Sequence, residues 1–230
     1  MYETFGRLWS QASDREEPLK AAKTIHDGIH TAVSIDAFID RFSDDEFIPL
    51  VGKMLIALKI AKAERESSLF PDKWNNLREY PRSKAINSTG KSLTNPDDTW
   101  LGHFFRILVD GVKDPGKIGN NISIICFNYD RCIEHYLRHQ IAAAYRMNIG
   151  HADEIVKSIN IIHPYGTLGD LPVNQGGSGD QLLEFGQERD RYFRPENIAK
   201  NIKTYTERKH QPAGNDRRLV QGVQRCTRSA

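Results

Sequence analysis

The sequence predicts an α/β fold in which a parallel sheet follows a helix-rich N-terminal half. Two near-continuous apolar segments, residues 122–127 and 158–163, have the length and composition of buried strands. A segment with helical spacing, 131–146, lies between them, and apolar residues also recur at helical spacing through the first third of the chain. Buried strands that are joined through a helix pair in parallel, with a right-handed crossover.

Composition and charge are those of an ordinary globular chain. The 230 residues suffice for one large domain or two small ones, and 39% hydrophobic with 27% charged residues is typical of folded domains. A net charge of +2 gives no global electrostatic case for nucleic acid or an anionic membrane, so neither partner is expected. No apolar run approaches the roughly 20 residues of a membrane helix, and the N-terminus lacks the order of a secretory signal.

Cysteine usage favours a reducing cytoplasm as the location of the protein. Cys126, Cys132 and Cys226 are too few and too scattered for a disulfide framework. They also lack the paired spacing of a zinc site, so that no zinc is expected. We interpret Cys126 and Cys132 as small core residues rather than catalytic thiols.

The helices of the first half have recognisable starts. In "EEPLKAAKTIHDGIH", Pro18 stands where a helix can begin, and Ser34 precedes "IDAFIDRF" with Asp36 in the first turn. A strong helix is predicted after Pro49, and it ends in the charged "KAERESS". Asp97 or Asp98 is the predicted N-cap of a further helix in "DDTWLGHFFRILVDGV".

We expect one domain over residues 1–209. Within it, 70–98 is rich in Pro, Asn, Ser and Gly and is predicted to be an irregular connection or insertion, with Trp74 and Tyr80 holding it to the core. The glycine-rich "NQGGSGDQ" is interpreted as a linker or lid, and "FRPENIAKNIKTYTERKH" as a helix. Residues 210–230 show no periodicity and are predicted to be a poorly ordered tail.

Polar loops follow both predicted strands. Residues 128–130 follow the first strand and 163–169 follow the second. Ligands of parallel α/β sheets bind beyond the carboxyl ends of the strands, so the two loops predict a binding site. Asn128 and Asp130 are also explained by an Asx turn that leads into a helix, and His163 by a structural role; both alternatives stay open.

Two histidines lie four residues apart on the helix between the strands. This spacing of His135 and His139 can bind a metal, but the sequence offers no evident third ligand. We therefore expect these side chains to face solvent or to cap the helix, and we predict no metal site.

Several motifs together resemble the bacterial sirtuin-like NAD-binding domains. "CFNYDRCIEHYL" is similar to the Asn-Tyr-Asp signature of that family, and "INIIHPYGTLGDLP" is similar to its second signature, a strand that ends in His and then Gly. "SIDAFIDRF" and "NIKTYTE" resemble further segments, so that the resemblance spans residues 34–207. It implies a Rossmann-like fold, NAD as the ligand, and hydrolysis of NAD to nicotinamide and ADP-ribose in antiphage defence.

The resemblance also implies roles for individual residues. Asn128 matches the asparagine that orients the ribose and the attacking water, and Asp130 matches the acid that helps to hold the nicotinamide end. The family's catalytic histidine stands beside the glycine, where this chain has Tyr165 before Gly166. We take His163, two residues earlier, as the general base, with Tyr165 as the alternative. Asn128, Asp130, Tyr165 and Gly166 are the predicted cofactor-binding residues.

Two departures from the family keep other functions open. Residues 1–36 contain no Gly-Ala-Gly loop to approach the NAD phosphates. This favours a fragment, or a non-catalytic binding or regulatory module, as the alternative to an enzyme. A lysine deacylase is less favoured, because the zinc ribbon of such enzymes generally needs four cysteines. A second copy of the chain or another defence protein is the expected macromolecular partner.

Overall fold

The computed structural model of the chain describes residues 16–71, 73–74, 90, 93–173, 183–187, 195–204 and 207. The predicted tail, the "NQGGSGDQ" segment, Tyr80 and most of the predicted connection at 70–98 lie outside these residues. The described part is a helix-rich α/β structure with a small parallel sheet. None of its helices has both the length and the apolar character needed to span a membrane.

In chain order, the helices are α1 (Glu16–Gly28), α2 (Ile35–Arg41), α3 (Phe47–Glu66), α4 (Trp100–Val109), α5 (Cys132–Ala144), α6 (Ile149–Ser158) and α7 (Pro195–Ala199). The strands are β1 (Ser123–Ile125) and β2 (Asn160–Ile162). Short 3-10 turns occupy Ile29–Thr31, Pro96–Asp98 and Pro115–Lys117.

Side-chain caps fix where the N-terminal helices begin. The Ala37 amide donates to Ser34 Oγ at 3.1 Å, which confirms Ser34 as the N-cap of α2. The amides of Phe47 and Ile48 each donate to Asp45 Oδ1 at 2.8 Å, so α3 starts two residues before Pro49. A proline is tolerated there because the first-turn amides have no partner within the helix.

Helices α1, α2 and α3 enclose one hydrophobic core. Phe38, Val51 and Met54 are almost completely buried at its centre. Further along α3, Ala57 and Ala61 pack with Ile198 and Ile202 from the segment that contains α7. The small side chains of α3 let that segment approach closely.

A second core lies between α4, α5, α6 and the sheet. Tyr136 and Leu137 of α5 are buried there with Phe105 of α4. Trp74 is 4% exposed and stacks on Tyr136, with ring centroids 5.4 Å apart. The prediction that Trp74 holds its segment to the core is confirmed.

The strands pair in parallel, as predicted, with Ser123 opposite Asn160 and Ile125 opposite Ile162. Both are shorter than the predicted segments 122–127 and 158–163. One face packs on the helical core through Ile124, whereas Ile125 on the opposite face is half-exposed. Strand β1 therefore buries only one of its faces, which stabilises a long strand less than burial on both faces would.

The helical segments also differ from their predicted bounds. Helix α5 is two residues shorter than predicted at its C-terminal end, and α7 spans only five residues. The N-cap of α4 is Thr99, not Asp97 or Asp98, because the Leu101 amide donates to Thr99 Oγ1. The sequence analysis did not predict helix α6. This helix begins where Asn148 Oδ1 accepts a hydrogen bond from the His151 amide at 2.9 Å.

Candidate functional site

The carboxyl ends of β1 and β2 bring the two polar loops together. The Cys126 amide donates to the Ile162 carbonyl at 2.9 Å, which extends the pairing one residue past β1. Beyond it, His163 Nδ1 donates to the Asn128 carbonyl at 3.0 Å. Residues 128–130 and His163, which are far apart in the sequence, thus lie side by side. Parallel pairing predicts this arrangement.

An oxygen acceptor lies within hydrogen-bond distance of each ring nitrogen of His163. Its Nε2 lies 2.7 Å from Glu134 Oε1, and its Nδ1 donates to the Asn128 carbonyl. Carbonyl and carboxylate oxygens accept, so this pair of contacts favours the doubly protonated imidazolium. Burial alone lowers the pKa of His163, but hydrogen bonds to Cys126 and Glu134 and the Glu134 charge outweigh it and raise the pKa to about 10.

The protonation of both ring nitrogens limits the predicted role of His163 as a general base. An imidazolium has no lone pair with which to take a proton. At neutral pH the group therefore serves as a positioned cation that fixes the Asn128 backbone. Proton abstraction by His163 requires that it first lose its own proton. The base role stays a prediction, with this condition attached.

Asn128 and Asp130 differ in what surrounds them. Asn128 is exposed at the strand end, as a residue that contacts a ligand must be. Asp130 Oδ1 accepts from the Cys132 amide at 3.1 Å, at the start of α5. The Asx-turn interpretation therefore describes Asp130, and no ligand is needed to explain this carboxylate.

A buried ion pair fixes the start of α5, and sequence reasoning missed it. Arg131 and Glu64 are 2% and 1% exposed, and Arg131 Nη2 lies 2.7 Å from Glu64 Oε2. The Arg131 amide and Nε both donate to Glu64 Oε1. Arg131 also donates to the carbonyls of Leu183 and Glu184. The loop that carries Asn128 is thereby tied to α3.

The charged segment "KAERESS" at the end of α3 contains Glu64, which is buried. A signal for Glu64 was present, since it follows the buried Ala57 and Ala61 at helical spacing. A carboxylate on the buried face of a helix requires a cationic partner.

Tyr165 and Gly166 line the other side of the strand ends. The Tyr165 ring lies 6.1 Å from that of Phe127 and 6.5 Å from that of Tyr129. Gly166 has φ +80°, and a Cβ on it would lie 1.8 Å from the Asn201 carbonyl oxygen. The chain path therefore requires glycine here, whether or not a cofactor binds.

Tyr129 links this site to the N-terminal helices. Its hydroxyl lies 3.3 Å from Asp36 Oδ1 and 3.2 Å from the Lys203 carbonyl oxygen, and it donates to these acceptors. Burial, followed by the charge and hydrogen bond of Asp36, raises the pKa of Tyr129 above its ordinary value. Tyr129 is therefore a neutral hydrogen-bond donor at physiological pH.

The expectation that His135 and His139 face solvent or cap α5 is wrong for His135. Its side chain is buried, its Nε2 bonds the Leu69 carbonyl at 3.1 Å, and its ring stacks on Phe185 with centroids 4.0 Å apart. The His139 ring lies 4.6 Å from it. Over the described part of the chain, no three His, Cys, Asp or Glu side chains cluster as metal ligands would.

Comparison with known proteins adds no relative. No protein-family model matches the chain, and neither a curated protein nor a solved structure gives a significant match. A functional inference therefore has to come from the strand-end site, where exposed Asn128 lies against His163 and the Arg131–Glu64 pair holds the loop.

Proposed function

We propose that the chain is a cytoplasmic, sirtuin-like domain of Rossmann-like fold that binds NAD where β1 and β2 end. In this proposal it hydrolyses NAD to nicotinamide and ADP-ribose and acts in bacterial antiphage defence. The observation that carries the proposal is the contact of His163 Nδ1 with the Asn128 carbonyl. It joins the two loops that resemble the sirtuin-like signatures, at the sheet edge where parallel α/β folds bind nucleotides.

In the proposed reaction, the bond between ribose C1′ and the nicotinamide nitrogen breaks, and the ribose passes through an oxocarbenium-like state. Water adds to C1′, its proton passes to a base or to solvent, and nicotinamide leaves as the neutral amide. Asn128 orients the ribose and the water. Because Glu134 compensates the charge of His163, the pair does not oppose the positive charge that develops on the ribose.

His163 has two roles within this proposal, and they differ in protonation state. As an imidazolium it positions Asn128 through the backbone carbonyl. As a general base it must be neutral, which its raised pKa disfavours near pH 7. We assign the positioning role to His163 at neutral pH.

A non-catalytic NAD-binding or regulatory module is the second candidate. The observation that favours it is the engagement of both His163 ring nitrogens by acceptors. Such a histidine completes a rigid strand-end loop without supplying a base. The deacylase interpretation gains no comparable support from the site.

Incubation of the purified chain with NAD separates these candidates. Nicotinamide release that Asn128→Ala abolishes supports hydrolysis at this site. A rise in melting temperature with NAD, without release, supports the binding module. If the protein shows neither release nor stabilisation, both candidates are wrong.

A further inference from the structure

Strand β1 has one edge that faces β2 and one edge that faces away from it. The Cys126 amide donates to the Ile162 carbonyl, so the even-numbered residues of this segment direct their backbone groups toward β2. Because these groups alternate in direction along a strand, those of Ser123, Ile125 and Phe127 point away from β2. Over the part of the chain that the structure describes, none of these outward groups has a hydrogen-bond partner. The outer edge of residues 123–127 is therefore able to pair with another strand.

Two large apolar side chains lie along this outer edge. Ile125 is 49% exposed and Phe127 is 62% exposed. Residues two positions apart in a strand lie on the same face, so both belong to the face opposite Ile124, which packs on the helical core. An exposed apolar patch beside unpaired strand backbone is the surface on which an added strand would be bound.

The sequence along this edge lacks the features that normally keep edge strands apart. Residues 118–129 contain no charged residue and no proline, whereas exposed edges are commonly protected by lysine or proline. The outer edge of β2 differs, because the Ile161 amide already donates to the Ile159 carbonyl at 2.9 Å and Pro164 soon follows the strand. The sheet is thus better protected beside β2 than beside β1.

A second copy of β1 fits this edge in an antiparallel arrangement. A twofold axis at Ile125 places this residue opposite Ile125 of the second copy, and Phe127 opposite Ser123 of the second copy. The outward donors and acceptors of each copy then meet those of the other, and the exposed Ile125 and Phe127 side chains of both copies become neighbours. Since the segment is uncharged in each copy, no like charges are brought together along the paired edge.

We propose that the outer edge of β1 is a dimerisation surface, at which the β1 strands of two copies pair antiparallel. The two sheets become one sheet of four strands in the order β2–β1–β1–β2. This inference does not rest on the proposed NAD chemistry. Because few residues pair, the interface is small and the dimer is weak.

Sedimentation equilibrium of the full chain over a concentration series, from about 1 µM to about 1 mM, tests the association. We expect a particle of twice the chain mass at the upper end, and Ile125→Lys should lower the association constant about tenfold or more, because it sets two lysines opposite each other. The matched control is Val33→Lys, at an aliphatic residue that is 99% exposed and lies outside the sheet, and it should dimerise like wild type. A monomer at every concentration, or equal association of Ile125→Lys and wild type, would overturn the proposal.

Amide hydrogen exchange of the wild-type protein tests the strand pairing itself and needs no variant. We expect the amides of Ser123, Ile125 and Phe127 to exchange more slowly as the protein concentration rises. A dimer in which these amides exchange equally fast at all concentrations would use another surface, and the proposal would be wrong. Slow exchange that is independent of concentration would assign the edge to a segment of the same chain, which also contradicts it.

Discussion

Arg131 and Glu64 form a buried ion pair across 67 positions of sequence, with Arg131 Nη2 2.7 Å from Glu64 Oε2. The pair joins the end of α3 to the start of α5. Because Arg131 follows Asp130 directly, it also fixes the backbone of the loop that presents Asn128. The candidate site therefore depends on a contact in the core, not only on the residues that face solvent.

Loss of one partner of this pair should destabilise the whole domain. Glu64→Gln leaves the Arg131 guanidinium buried without a compensating charge, and we expect a loss of ~3–5 kcal/mol in the free energy of unfolding. Urea denaturation measures it. The control is Glu17→Gln, which removes the exposed pair with Lys20 and should cost less than ~1 kcal/mol. Similar losses in the two variants would contradict this account.

His163 should make stability depend on pH between its unfolded and folded pKa values. The folded pKa is raised to about 10 from an ordinary value near 6.5. The stabilisation is therefore complete below about pH 6.5 and is lost as pH rises toward 10. We expect the difference in unfolding free energy between wild type and His163→Gln to shrink from pH 6 to pH 10. A difference that is constant over this range would show that the imidazole is not charged in the folded state.

His135 should have the opposite effect, on the acid side. Burial is the first cause of its lowered pKa, so the folded state keeps it neutral while the unfolded chain binds a proton below about pH 6.5. Stability should fall as pH drops from 6.5 to 4.5, and His135→Gln should reduce this loss. His30→Gln, at an exposed histidine, is the matched control variant. Identical acid profiles for wild type and His135→Gln would refute the prediction.

Two glycines with similar backbone angles should respond differently to alanine. Gly166 has φ +80° and its Cβ would meet the Asn201 carbonyl oxygen, whereas Gly111 has φ +68° and open space around it. Gly111→Ala should cost only the strain of the left-handed conformation, ~1–2 kcal/mol. Gly166→Ala adds a backbone clash, so it should lower the free energy of unfolding clearly more than Gly111→Ala does. Urea denaturation measures both losses. Equal costs would mean that the approach of Asn201 is not rigid.

Sequence reasoning succeeded where the determining contacts are local. The Ser34 cap, the Asx turn at Asp130 and the parallel pair of strands each follow from short patterns. The strand ends could be placed together because parallel strands present their carboxyl ends at one edge of a sheet.

Local sequence patterns did not predict the contacts between distant segments. The environment of Arg131 depends on Glu64 and on residues 183–186, which no periodicity connects to it. His135 is buried because Phe185 stacks on it from a separate segment. The charge state of His163 likewise follows from Glu134 in the first turn of α5, and the helix face that Glu134 occupies was not assigned from the sequence.

The pH dependence of NAD turnover should reveal which role His163 has. If the imidazolium positions Asn128, nicotinamide release falls as pH approaches 10 and His163 loses its proton. A general base would instead give release that rises toward pH 10. We predict the fall, measured as initial rates with the stability of the protein checked at each pH. A rise would restore His163 as the base.

Nicotinamide release from NAD by the full chain tests the central claim most directly, with Asn128→Ala as the site variant. The control is Asn121→Ala, at an exposed asparagine before β1, away from the strand ends that form the site. We predict release by wild type and by Asn121→Ala, and a loss of about 100-fold or more in Asn128→Ala. Equal release by all three proteins would contradict the assignment of the site, and no release by wild type would contradict hydrolysis itself.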